Sequence, residues 1–395
     1  MIATSQRAPE IRLASDQAGW SLPAWTYQDE DFLAIERQRI FLPAWHLVCH
    51  LADIPNPGDW RSFTMMGELA VVLRGKDGAI RAFHNVCRHR AARLLDGEGG
   101  NCGARILCPY HAWSYGLDGR LLGVPFVEEY EDFDRADHGL SPIEHTVFAG
   151  FVFIRFEPGG TPLADYLSPV ADEMALYRFE EMAPLTPIRG RVREVNWKNA
   201  SDNYVDALHI RVAHPGLDSL VRDTYRLSTD RGVDKIFASI EDARGQGTSV
   251  RAYRDLLPEV DHLPPERQRM WTYWRLWPSL MFDVYPDQID FMQFIPLTAT
   301  SCILRDGAYA LPDDRRAMRL ARGLNQRVNR DVNAEDRGLI ERVQAGMGSS
   351  SFSQGPLGRN EISLRAFAER MRETIPLSRE QARPSRERLE AALRD

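Results

Sequence analysis

Cys87, His89, Cys108 and His111 fall within one stretch, 87-CRHRAARLLDGEGGNCGARILCPYH-111. Two cysteines and two histidines this close can hold a metal, since thiolate and neutral imidazole are both good ligands. A structural zinc is one reading. Zinc fingers, however, pair Cys with Cys and His with His along the chain. Here each loop carries one of each, as C-x-H and then C-x-x-H. That pattern suits a two-iron cluster with both thiolates on one iron and both imidazoles on the other. Neutral histidines make such a cluster less negative and raise its potential. Pro109 stiffens the second loop and biases Cys108 to extended geometry.

A second constellation lies in 196-NWKNASDNYVDALHIRVAHPG-216. His209 and His214 are five residues apart, and on a regular helix residues four apart align better. Pro215 disfavours helix at His214, so the helix is expected to end or unwind there and let the imidazoles converge. Two histidines and one carboxylate, with the other positions open, make a non-haem Fe(II) site that admits O₂ and substrate.

C-R-H-R followed by C-P-Y-H-A-W resembles the Rieske [2Fe–2S] domain of the ring-hydroxylating oxygenase alpha subunits. N-W-K-x₄-N-Y-x-D-x-x-H-x₄-H resembles the catalytic-domain motif of the same family. The resemblance runs from about Trp25 to Phe367. It implies that Cys87 and Cys108 hold one iron, and His89 and His111 the other. Trp113 resembles the tryptophan that covers the cluster. Cys102 is read as a bystander, and Gly97, Gly99 and Gly100 as a surface bulge absorbing a slightly long spacer. His209 and His214 would hold a mononuclear Fe(II). Asp206 would bridge that site to a Rieske histidine of the neighbouring subunit. Asn203 and Tyr204 would line the iron site, and Asp202 is read as a surface or cap residue.

The third ligand is sought in 331-DVNAEDRGLIERVQAG-346, whose E-D-x₆-V-Q-x-G pattern resembles the family segment that brings it. Asp336 is the choice and Glu335 the runner-up. Asp331 and Glu341 read as surface charges.

These loops need strands to hold them. From Trp45 to Phe156, WHLVCHL, LAVVLRG, IRAFHNV and FVFIRF read as strands, and Asp77-Gly78 and Asp118-Gly119 as hairpin turns. Residues 165–181 and 314–347 read as helical, as does a short stretch from Asp29 to Arg39. Residues 271–307 read as three strands cut by Pro278, Pro286 and Pro296. The tail from Ser378 reads as helical. The expected class is α+β: a small all-β Rieske domain plus, by resemblance, a helix-grip (START-like) catalytic domain with an antiparallel sheet. The expected division is 1–42 (an N-terminal segment packing on the catalytic domain), 43–157 (the Rieske domain) and 158–395 (the catalytic domain).

The net charge is −7 and no basic face suggests nucleic acid. MIATSQRAPEIRLAS shows no secretory signal, and no run is long enough to span a membrane. Five sparse cysteines without a signal point to a reducing cytoplasm. GEGG fails as a dinucleotide fingerprint, because Cys102 stands where the third glycine belongs. Electrons are therefore expected from a separate NAD(P)H-dependent reductase, a ferredoxin, or both. By resemblance, a head-to-tail homotrimer brings one subunit's cluster to the next subunit's iron.

The implied function is a terminal oxygenase using O₂ to hydroxylate or demethylate a small organic molecule. Trp271, Tyr273, Trp274, Trp277, Phe282, Tyr285, Phe291 and Phe294 can supply an aromatic pocket wall, which serves aromatic rings or trimethylammonium groups. Which alternation faces inward is open. Arg275 reads as solvent-facing unless it meets a substrate carboxylate. The short D-N-Y-x-D-x-x-H form resembles homotrimeric monooxygenases and demethylases, and departs from the naphthalene-type dioxygenases. Aromatic substrates stand first and quaternary ammonium compounds second. A non-catalytic Rieske electron carrier and a zinc-stabilised binding protein are the readings from other classes.

Overall fold

The computed structural model describes residues 17, 19–221, 224–240 and 247–394. The stretch read for a secretory signal lies outside these. The chain forms two compact units. One comprises Leu42–Tyr166 with Arg178–Pro184; the other comprises the segment up to Phe41, Leu167–Tyr177 and Leu185–Asp395.

The first unit is built from short sheets. Strands Ile80–His84, Glu68–Arg74, Asp59–Met65 and Gly99–Asn101 form one, in that order, and Arg105–Leu107, Ser114–Gly116 and Leu121–Gly123 another. His46–His50, Phe151–Arg155 and Glu144–Phe148 form a third. The two Asp-Gly turns join hairpins as expected, with the glycine alone at positive φ, 79° at Gly78 and 84° at Gly119. The glycine-rich spacer is not a bulge. Gly99–Asn101 pairs with Asp59–Arg61, and a Cβ on Gly99 would sit 2.9 Å from the backbone oxygen of Trp60, so a side chain there would force the edge apart.

The second unit centres on a seven-stranded sheet. Its order is Ala183–Arg193, Ser301–Ala310, Gln288–Thr298, Leu280–Val284, Met270–Leu276, Val233–Ser239, Arg226–Asp230. The strands from Ser301–Ala310 to Arg226–Asp230 pair antiparallel. The stretch 271–307 thus holds parts of four strands, not three. Pro278 and Pro286 lie in turns, but Pro296 sits inside its strand at a register shift, where a lost ladder bond is tolerated. The expected helix over 165–181 is broken into Leu163–Leu167, Ala171–Leu176 and the short turn Phe179–Glu181. Helices Trp197–Val205, Ile210–Ala213, Pro215–Val221 and Arg316–Met347 carry the second motif. An apolar core of Ile210, Leu217, Leu220, Trp271, Tyr285 and Val328 joins the last three of these to the sheet.

N-W-K is a structural clamp. Asn196 Oδ1 accepts from Lys198 N (2.9 Å) to start the helix, and Asn196 Nδ2 donates to Ala299 O (2.7 Å). Trp197 Nε1 and Lys198 Nζ both donate to the buried Glu36 carboxylate, at 2.8 and 2.6 Å. Among the described residues, no helix is long and apolar enough to cross a membrane.

Candidate active site

The two cysteine–histidine loops are conformational copies. Cys87 N donates to Ala92 O and Ala91 N to Cys87 O, at 2.8 and 3.1 Å. Cys108 N donates to Trp113 O and Ala112 N to Cys108 O, at the same two distances. Both turns close through a left-handed alanine, φ 57° at Ala91 and 56° at Ala112, which side-chain-bearing residues adopt only when their surroundings fix it. Both thiols are free and buried in the apolar core with Trp113 and Tyr115, while His89 and His111 are half-buried at its rim. Cys87 Sγ lies 3.2 Å from Tyr115 Oη, which also accepts from Arg88 N. Trp113 stacks on His89, with centroids 4.9 Å apart and planes at 6°. Trp113 is therefore a core residue that also covers one face of the His89 ring. Cys102 donates to Gly58 O at 3.3 Å and stands apart from this set. Buried thiolates and outer imidazoles fit a [2Fe–2S] group bound by sulfur on the inside and nitrogen on the outside.

The second motif folds as Pro215 requires. Helix Trp197–Val205 ends at Asp206, a new turn begins at His209, and His214 (φ −122°, ψ 68°) ends it before Pro215 opens the next helix. The imidazoles converge: His209 Nε2 and His214 Nε2 are 3.1 Å apart. Asp336 Oδ1 lies 2.9 Å from His214 Nε2 and 3.4 Å from His209 Nε2. Ligands at right angles on a metal with bonds of about 2.1 Å stand about 3.0 Å apart. The three atoms therefore fit one ion with a shared open side.

Each ring's other nitrogen faces a further carboxylate. Glu335 Oε2 is 2.7 Å from His214 Nδ1. Asp206 Oδ2 is 3.2 Å from His209 Nδ1, out of hydrogen-bond alignment, and its Oδ1 accepts from Leu208 N. Burial lowers the proton affinity of His209, but Asp206 and Asp336 outweigh it and hold the group up to about 9. Burial raises Asp336, yet the two imidazoles and Asn203 hold it well below the usual carboxylate range. The site is poised for a cation that displaces the imidazole protons. Asp331 and Glu341 are exposed.

A cavity with about 660 Å³ of empty space, part of it open to solvent, reaches His209, His214 and Asp336. That suits a small organic molecule. Asn203, Tyr204, Tyr225, Trp271, Tyr273 and Asp283 are among its lining residues. Of the eight strand aromatics, Trp271 and Tyr273 line it. Trp274, Phe282, Phe291 and Phe294 are buried and do not. Two expectations are corrected. Arg275 is buried, not solvent-facing, with Asp234 at 2.7 Å and Phe367 beneath its guanidinium. Asp202 is half-buried and tied into the interior rather than a free surface or cap residue: it accepts from Tyr27 Oη, and burial pushes it up to about 6.

Sequence reasoning missed Asp283, Tyr225 and Gln344. Gln344 Oε1 accepts from Asn196 N and Asn199 Nδ2, at 2.8 and 2.9 Å, tying the long helix to the motif helix. The V-Q-x-G signature contained that residue. A lone acid in the apolar run LMFDV was the signal for Asp283.

Residues 44–134 match the family model of the Rieske [2Fe–2S] domain, and residues 176–377 that of the ring hydroxylating alpha subunit (catalytic domain). The carnitine monooxygenase oxygenase subunit of Acinetobacter pittii is 30% identical over 88% of this chain and 90% of that protein. The glycine betaine monooxygenase oxygenase subunit of Chromohalobacter salexigens is 35% identical over 55% of this chain and 48% of its own length. A solved quaternary ammonium Rieske monooxygenase shares the fold with TM-score 0.79 at 24% identity, over 94% of this chain and all of that one. Naphthalene 1,2-dioxygenase from Rhodococcus shares it at 0.74 and 20%, over 90% and 94%.

Proposed function

The chain belongs to the Rieske oxygenase alpha-subunit family, the terminal oxygenase components, and from that premise we propose that it oxidises a small quaternary ammonium compound. The observation that carries this is the meeting of His209, His214 and Asp336 at a cavity walled by Tyr204, Tyr225, Trp271 and Tyr273. Aromatic faces attract a trimethylammonium group through their negative quadrupoles. The same walls take a neutral ring, which was the first expectation, but the named relatives act on carnitine and glycine betaine. That favours the second.

In our reading Cys87, His89, Cys108 and His111 hold the cluster, and His209, His214 and Asp336 the mononuclear iron. Bound there, the two groups supply one-electron delivery and O₂ activation. The chain's own part is orientation. Glu335 fixes His214 through Nδ1, and Asp206 faces Nδ1 of His209, so both Nε2 atoms point at one place. Asn203 lines the same cavity and helps hold Asp336 in its anionic form. Leu217, Ile236 and Val332 keep the cavity floor apolar. Asp206 is further proposed to bridge to a neighbouring subunit's Rieske histidine in a homotrimer, with a separate reductase or ferredoxin as electron source.

The test is the EPR spectrum of the anaerobically reduced, iron-replete protein with nitric oxide. It is recorded with a panel of trimethylammonium compounds and a panel of aromatic carboxylates. A ferrous–nitrosyl signal that responds to the first panel is expected. A response to aromatics alone restores the other substrate class. Absence of the signal removes the iron assignment and leaves an electron carrier.

A further inference from the structure

One acid interrupts the apolar strand Leu280–Val284, and it lines the cavity: Asp283. The register makes its surroundings explicit. Ile236 pairs with Tyr273, Tyr273 with Asp283, and Asp283 with Asp290, so the four stand in one row across four strands. Directly opposed side chains in such a row have Cβ atoms about 5 Å apart, and like charges there are destabilising. Burial of both acids adds to that cost.

The partners of the two acids are neutral. Asp290 accepts from Gln288 Nε2 at 3.0 Å and from Asn329 Nδ2 at 3.3 Å. Asp283 accepts from the Tyr204 hydroxyl. No lysine or arginine lines the cavity among the described residues. Three more rings line the same cavity, Tyr273, Tyr225 and Trp271. Tyr273 lies with its centroid 6.3 Å from Tyr204, 6.4 Å from Tyr225 and 6.4 Å from Trp271. Rings alone accept a neutral aromatic or a cation. A carboxylate among them distinguishes the two.

Resting on the substrate reading above, we propose that Asp283 is the counter-ion for the cationic head of the substrate and sets the preference of this cavity for a cation over a neutral molecule of the same size. A quaternary ammonium group has no N–H, so it approaches through its methyl groups and leaves the Tyr204–Asp283 hydrogen bond intact. A neutral occupant would leave the carboxylate desolvated without compensation. Burial pushes Asp283 up to about 6, against hydrogen bonds from Tyr204 and Tyr285 that favour the anion. Burial and the Asp283 charge push Asp290 well above the carboxylate range. Asp283 thus ionises near neutrality.

The experiment titrates the ferrous–nitrosyl EPR signal with tetramethylammonium and with tert-butanol, alike in size and different in charge. Wild type is expected to bind tetramethylammonium about tenfold or more tightly than tert-butanol, and Asp283→Asn to lose most of that difference. Asp283→Glu should keep it. The cluster's visible spectrum and the nitrosyl signal report whether each variant is folded and loaded. Equal binding of the two probes by wild type overturns the proposal without any variant. So does an Asp283→Asn protein that still prefers the cation. In the last case the substrate class stands and the counter-ion lies elsewhere. If no trimethylammonium compound perturbs the wild-type signal, the substrate reading itself falls.

Discussion

Glu335 Oε2 lies 2.7 Å from Nδ1 of His214, on the edge of the ring opposite the one facing Asp336. Two consecutive acids of one helix therefore grip one imidazole from both sides. Asp336 also reaches His209 Nε2, whereas Glu335 is paired with His214 alone in this set. That difference supports our reading of Asp336 as the ligand and Glu335 as an orienting partner.

Replacing them should separate those roles. Asp336→Asn is expected to abolish mononuclear iron while leaving the cluster, so iron analysis falls toward two atoms per subunit. Glu335→Gln should retain the iron site and weaken metal affinity or turnover by about 10–100-fold, the usual effect of losing an outer partner. A Glu335→Gln protein without mononuclear iron, beside an Asp336→Asn protein that keeps it, would reverse the assignment.

Asp206 ends the motif helix and stands 3.2 Å from His209 Nδ1. Asp206→Asn removes the negative charge but keeps an oxygen acceptor for Leu208 N. Cluster absorbance and iron content should survive, while steady-state turnover falls by about 10–100-fold. Single-turnover reduction kinetics would then show the slow step in electron arrival at the iron. Unchanged turnover would make Asp206 a helix-end residue only.

The motif residues were legible because metal chemistry fixes residue type and spacing together. Cys87, His89, Cys108 and His111 could be read from their two loops, and Pro215 explained in advance why His214 turns back. The Asp336 or Glu335 ambiguity came from the helix, where neighbouring acids look alike until a partner ring is in view. The cavity wall was not legible. Period-two alternation gives two faces, and only the folded sheet shows that Tyr273 lines the cavity while Trp274 is buried away from it. Arg275 looked like a surface charge because its partners Asp234 and Ser363 are distant in sequence. Gly99 looked like loop because a three-residue edge strand leaves little pattern to read.

Lys198 and Glu36 are both fully buried and joined at 2.6 Å. Burial raises Glu36 and lowers Lys198, so each stays charged only through the other. Lys198→Met leaves a buried carboxylate and should cost about 3–5 kcal/mol in denaturant unfolding of the catalytic unit. Adding Glu36→Gln should restore part of that loss. A double variant no more stable than the single would show that the pair itself, not the orphaned charge, carries the stability.

Asp283 also predicts how binding depends on pH. Its folded pKa of about 6 lies above the ordinary aspartate value, because burial disfavours the anion. The folded state therefore holds the proton more tightly than the unfolded chain does. This group's contribution to stability is fully present below the unfolded pKa and is lost as pH rises through the folded one. A cation that pairs with the anion has the opposite preference, so its affinity should rise between about pH 5 and 7 and level off above. The groups facing Asp283 are Tyr204 from the motif helix, Tyr273 and Asp290 from the flanking strands, Tyr285 on its own segment, and Tyr225. The tyrosines are raised and stay protonated throughout this range, and burial together with the Asp283 charge raises Asp290 well above its ordinary value. Tetramethylammonium carries its charge at every pH, so the profile belongs to the protein. Titrating the nitrosyl signal across this range should give the rise in wild type and a flatter line in Asp283→Asn. A rise of equal size in both would assign the titration to the metal ligands instead.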